Sequence, residues 1–125
     1  MSSSGEYQDI FTIEHIGGIT VIEPSPALEH MDPAMVDGAA AMLLEPLRRD
    51  PNPLVVVDLA RVDYFGSSFL ALLIRCWKMA TVKGGMMALS GVSPRARELL
   101  RMTSLDVVWP LYADRLEAME ALLSD

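Results

Sequence analysis

The segment Asp63-Tyr64-Phe65-Gly66-Ser67-Ser68 runs directly into the apolar stretch Phe69-Leu70-Ala71-Leu72-Leu73. Two hydroxyls therefore stand where a loop becomes a helix. Such a place suits two kinds of chemistry. A serine hydroxyl can cap the first turn by accepting a backbone N–H. The same N–H groups, with the helix dipole, favour an anion, so a phosphate on Ser67 would be tolerated there. Phosphorylation adds nearly two negative charges and can turn a binding surface on or off. Capping is the ordinary expectation for Ser67 and a phospho-switch the functional one.

Other reactive residue types are scattered. His15 and His30 have no second ligand at metal spacing, and metal sites need convergent ligands. Cys76 lies inside an apolar helical stretch and is expected to be an inert core thiol. Asp58 and Asp63 could form a carboxylate pair, but turn and cap roles explain both. Arg95, Arg97 and Arg101 fall close together on one helix and are expected to form a solvated face, with a partner patch as the alternative. Gly84-Gly85 lacks the spacing and lysine of a phosphate-binding loop. No catalytic constellation, metal site or cofactor motif is expected, so the reading is a binding protein rather than an enzyme.

These residues need elements to hold them. Phe11-Thr-Ile-Glu alternates, Gly17-Gly18 turns, and Ile19-Thr-Val-Ile-Glu23 returns, which predicts a hairpin closed off by Pro24 and Pro26. Asp32-Pro33 starts a helix carrying Met35, Ala39, Met42 and Leu43, which Pro46 should kink or end. Leu54-Val-Val-Val-Asp58 is apolar on both faces, the pattern of a central strand covered on two sides. A long helix spans about 67–82 and stops at Gly84-Gly85. Met86-Met-Ala-Leu89 is a strand, and Ser93-Pro94 caps a helix bearing Leu99, Leu100 and Met102. Val107-Val-Trp109 is expected to be a last strand. Asp114 then opens a helix with Leu116, Met119, Leu122 and Leu123 on its apolar side.

The order β-β-α-β-α-β-α-β-α predicts an α/β fold: a small, mixed, mostly parallel sheet with an N-terminal hairpin and about four helices. Residues 1–8 read as a loose tail and 9–125 as one domain. On the long helix, Leu70, Leu73, Ile74 and Trp77 form the expected core stripe. Phe69, Leu72, Cys76 and Met79 form a second stripe, and Phe69, beside the serines, is the best candidate for exposure. Gly66, Ser67, Ser68, Phe69 and Leu72 are therefore the candidate partner surface.

The chain has 125 residues, 51% of them hydrophobic, enough for one core. A net charge of −7 disfavours nucleic acid and anionic membrane surfaces and leaves a basic protein surface as a plausible partner. A single cysteine, no signal-peptide pattern and apolar runs far shorter than the roughly 20 residues of a span lead to the expectation of a cytoplasmic protein.

The stretch from Leu54 through Asp58, Asp63, Ser67 and Ser68 to Leu73 resembles the STAS domain family of anti-sigma factor antagonists. So do Lys83-Gly84-Gly85 before a strand, Ser93-Pro94-Arg95-Ala96-Arg97 opening a helix, and Met102-Thr103-Ser104-Leu105. The resemblance runs from about Phe11 to Leu123. It implies a small sheet with helices packed largely on one side. It also implies binding to an anti-sigma factor that is itself a serine kinase, ended by phosphorylation of a serine that matches Ser67. Gly66 stands where the family usually has aspartate, and Phe69 where it usually has glycine. Two related readings share the fold: a signalling-complex scaffold, and a STAS-only subunit that binds the ATPase of a lipid-transport complex without a phosphorylation switch. A small-ligand protein or enzyme is the remaining class.

Overall fold

In the computed structural model, which describes residues 10–124, Gly17 and Gly18 take φ of +56° and +85°. Two successive positive φ values make the tight two-residue turn whose twist matches a hairpin. They bring strand β1 (Phe11–Ile16) antiparallel onto β2 (Ile19–Pro24), with Ile16 opposite Ile19. Strands β3 (Leu54–Asp58), β4 (Met86–Ser90) and β5 (Leu111–Tyr112) add in parallel, giving the sheet order β1-β2-β3-β4-β5. The fold is thus the expected mostly parallel sheet with a leading hairpin. The expected tail at residues 1–8 lies outside the described residues.

Four α-helices connect and cover the strands: α1 (Val36–Arg49), α2 (Ser67–Val82), α3 (Pro94–Met102) and α4 (Arg115–Leu123). Strand alternation sorts the core into two layers. Val55, Val57, Met87 and Leu89 join Leu43, Leu73 and Leu100 of α1, α2 and α3 in the main core. Ile19, Val21, Val56 and Ala88 face the other way, onto Ala118 and Leu122 of α4. Strand β3 is therefore covered on both faces, as its unbroken apolar run predicts.

Helix ends follow local chemistry. Asp32, Ser93 and Asp114 each accept a backbone N–H at the start of a 3-10 turn or helix. Gly84, at φ +81°, ends α2: its N–H bonds the Thr81 carbonyl while the Gly85 N–H bonds that of Ala80.

Three expectations need correction. Pro46 neither ends nor breaks α1, which continues to Arg49 because Leu43, Leu44 and Leu47 bury around the proline and outweigh its lost hydrogen bond. Val107-Val-Trp109 is not a strand. A 3-10 turn at Leu105–Val107 swings Trp109 into the main core at 1% exposure, and β5 forms two residues later. On α4, Leu116 and Leu123 are 65% and 57% exposed, because the small Ala118 and Leu122 make the sheet contact instead.

Candidate functional site

Strand β3 ends at Asp58, whose carboxylate sets the path of the next loop. Its Oδ1 accepts the Ala60 N–H (3.2 Å) and the Ser90 hydroxyl (3.2 Å), and its Oδ2 accepts Arg115 Nε–H (3.0 Å). Arg115 also reaches Glu14 at 3.0 Å and Glu23 at 3.2 Å, so one guanidinium joins β1, β2, β3 and α4. Desolvation works against the charged guanidinium, but the hydrogen bonds and charges of Asp58, Glu23 and Glu14 together outweigh it, and the net result raises the Arg115 pKa.

The loop is pinned again at Asp63. Its N–H donates to Glu29 (3.3 Å), its carbonyl accepts the Ser93 hydroxyl (2.5 Å), and its carboxylate pairs with Arg95 (3.1 Å). The Arg95 guanidinium lies 4.8 Å from the Tyr64 ring centroid, a cation–π contact. Val62 and Phe65 anchor the loop in the core. Asp58 and Asp63 thus hold separate groups and form no carboxylate pair.

Helix α2 begins without a side-chain cap. Gly66 is the N-cap, at φ −104° and ψ −165°, and Ser67 is the first helical residue. The expectation that Ser67 caps the helix is therefore corrected: its hydroxyl sits one position too late. The first closing bond runs from the Leu70 N–H to the Gly66 carbonyl (3.2 Å), which leaves the preceding N–H groups without an intrahelical partner. Gly66 and Ser67 are exposed and Ser68 is half-buried. A Cβ on Gly66 would meet nothing within 4 Å.

The remaining two candidates are elsewhere. Phe69 is 2% exposed and Leu72 1%, so the expectation that Phe69 lies at the surface, with Leu72 in a partner contact, is overturned. The helix is apolar on most sides, and its rotation is set by what it meets. Phe69 stacks on Phe11 (6.1 Å between centroids) and edges Phe65 (5.1 Å). Phe69, Leu72, Leu73, Cys76 and Ala80 consequently face the core, while Leu70, Ile74 and Trp77 are half-buried beside it. The site shrinks to Gly66, Ser67 and Ser68.

Beside the loop lies an open groove of about 530 Å³ lined by Tyr64, Pro94, Arg95, Glu98, Leu99 and Met102. Of the three arginines read as one face, Arg95 binds Asp63, Arg101 binds Glu98 (2.5 Å), and Arg97 is exposed. Burial pushes the Cys76 thiol up to about 12, which keeps it protonated and unreactive. His15 Nδ1 lies 3.3 Å from the Thr20 hydroxyl. Among the described residues no helix is long and apolar enough to cross a membrane.

Comparison with known proteins places this geometry. The family profile described as "Mlab, STAS domain" matches residues 27–113. The chain is 28% identical over 110 residues to an anti-sigma F factor antagonist of Paenibacillus polymyxa, covering 88% of this chain and 92% of that one. It superposes on the anti-sigma-factor antagonist (STAS) domain protein of Planctomyces limnophilus with a TM-score of 0.79 and 34% identity, over 90% of this chain and 97% of that one. The anti-sigma factor antagonist SpoIIAA in its unphosphorylated form shares the fold, with a TM-score of 0.77 at 18% identity and coverage of 92% and 97%. With the profile spanning most of the chain and the sheet order, helix placement and serine-bearing α2 alike in place, the chain belongs to the STAS domain family.

Proposed function

We propose that this chain is a cytoplasmic anti-sigma factor antagonist that binds a kinase-type anti-sigma factor through the surface at Gly66, Ser67 and Ser68, and that phosphorylation of Ser67 ends the binding. The observation that carries this reading is the position of Ser67. It is exposed, first in the helix, and its hydroxyl has no hydrogen-bond partner among the described residues. A kinase can reach it without unfolding anything, and a phosphate there lies at the positive end of α2, beside N–H groups that have no intrahelical partner. The fold survives modification while the surface a partner meets changes charge by almost two units. The relatives named as anti-sigma factor antagonists support this role.

Because Ser67 is not the cap, its replacement is nearly free of stability cost, which makes the test clean. Ser67→Asp is expected to weaken binding to the cognate anti-sigma factor at least about 10-fold, some 1.4 kcal/mol by calorimetry. Ser67→Ala binds as wild type and takes no phosphate. Equal affinity for all three proteins would overturn the switch. Gly66 and Phe69 favour a second reading, a STAS-only subunit that holds the ATPase of a lipid-transport complex with no switch. Under it the ATPase co-purifies with wild type and Ser67→Asp alike, and no phosphate appears on Ser67 in the native host.

A further inference from the structure

The described surface carries two apolar features that the Ser67 site does not use, and they lie on opposite faces of the sheet. One is a groove of about 330 Å³ on the outer side of α1 and α2, lined by Leu44, Arg75, Lys78, Met79 and Val82. Val82 is 83% exposed at its end. Its polar groups are the cations Arg75 and Lys78. Arg75 has one exposed partner, Asp37, at 3.3 Å, and Lys78 makes no ion pair among the described residues. A basic, apolar groove is unexpected on a chain of net charge −7.

The second feature is the outer face of α4. Leu116 and Leu123 are seven residues apart and so share one side of the helix, and both are more than half exposed. Glu117 and Glu120 are exposed beside them. Glu120 has no ion pair among the described residues. This is an acidic amphipathic ridge. Its two leucines span about 10.5 Å at helical rise, the same length as Arg75 to Val82 along the groove.

We infer that the ridge of α4 (Leu116, Glu120, Leu123) in one copy of this chain docks into the groove of α1 and α2 (Arg75, Lys78, Val82) in a second copy. Length, apolarity and charge sign agree: carboxylates meet the two cations while leucines cover Met79 and Val82. Helix-in-groove docking of this kind uses residues one and two turns apart as anchors. An anionic membrane is a poorer occupant, since the chain carries a net charge of −7. Each copy presents one ridge and one groove on opposite faces, so the contact is head-to-tail and a dimer still has a free ridge and a free groove. The patch is small, so the association is weak, in the range of transient encounters.

The test is sedimentation velocity on the full chain from about 10 μM to about 1 mM, the range in which so small an interface assembles. Wild type is expected to gain mass with concentration and to pass beyond a dimer. Val82→Asp spoils the groove and Leu116→Asp the ridge, and each alone stays monomeric. Both sites are exposed, and circular dichroism checks that the variants fold. An equal mixture of the two forms a 1:1 dimer that grows no further, since one supplies the only intact ridge and the other the only intact groove. Lys78→Glu weakens self-association about 10-fold and Lys78→Glu with Glu120→Lys restores it. A wild type monomeric at 1 mM overturns the inference, as does a mixture that fails to dimerise or a Val82→Asp chain that associates like wild type. Monomeric wild type that binds phosphatidylglycerol vesicles through Val82 would assign the groove to a membrane and overturn it equally.

Discussion

Replacing Phe69 by alanine separates a core role from an interface role. The ring is 2% exposed, so the whole side chain is transferred from the interior when it is lost. It is held by two aromatic neighbours, Phe11 at 6.1 Å and Phe65 at 5.1 Å. Buried Phe→Ala changes cost about 3–5 kcal/mol, and two aromatic pairs of about 0.5–1.5 kcal/mol each lie within that figure. A value near 4 kcal/mol is a large part of a stability of about 5–15 kcal/mol. With a urea dependence of about 2 kcal/mol per molar, the unfolding midpoint falls by about 2 M. Ser67→Ala, exposed and outside the cap, shifts it by less than about 0.3 M, equivalent to about 0.5 kcal/mol. The assay is urea unfolding followed by circular dichroism, with partner binding measured on the folded fraction in parallel. If Phe69→Ala unfolded within about 0.5 M of wild type yet lost partner affinity 10-fold, the ring would be an interface anchor and the packing argument would be refuted.

Gly85→Ala places a methyl 1.8 Å from the Pro53 carbonyl oxygen, which itself accepts the Met86 N–H at 3.0 Å. Backbone cannot rotate away as a side chain can. Overpacking and the lost bond together cost about 2–4 kcal/mol, or roughly 8–15 °C in Tm by calorimetry. A shift under about 3 °C would mean that β3 and β4 separate freely. At Cys76, burial raises the folded thiol from 9.0 to about 12. The unfolded chain therefore ionises first, and this contribution, complete below pH 9, is lost as pH rises towards 12. Cys76→Ala is expected to show a shallower fall in stability over that window, and native protein at pH 8 to resist thiol reagents. Identical slopes, or prompt labelling, would contradict the buried assignment.

The sequence spoke clearly wherever a signal was local. Asp32, Ser93 and Asp114 announced starts because a cap needs only its own next few residues. The run Leu54 to Val57 announced a strand covered on two faces. Periodicity failed on α2, whose apolar residues circle most of the helix, so only contacts with Phe11 and Phe65 choose which stripe turns inward. It failed again at Trp109, where β-forming residues yield to a 3-10 turn that buries an indole. At the site, Ser67 and the start of α2 were legible, but whether its hydroxyl or Gly66 caps the helix depends on one residue of register. Arg115 was illegible, since its carboxylates lie as far as 101 positions away.

That arginine has a consequence for the order in which the chain acquires its structure. Every strand lies beside its sequence neighbour, so the sheet can grow outward as synthesis proceeds. Asp58 is nevertheless 6% exposed, and its counter-charge arrives only with residue 115. A nascent chain still short of α4 carries a desolvated carboxylate without its cation and an apolar layer, Val21, Val56 and Ala88, without its cover. Helix α4 therefore acts as a latch, and cooperative folding of the sheet waits until it has left the ribosome.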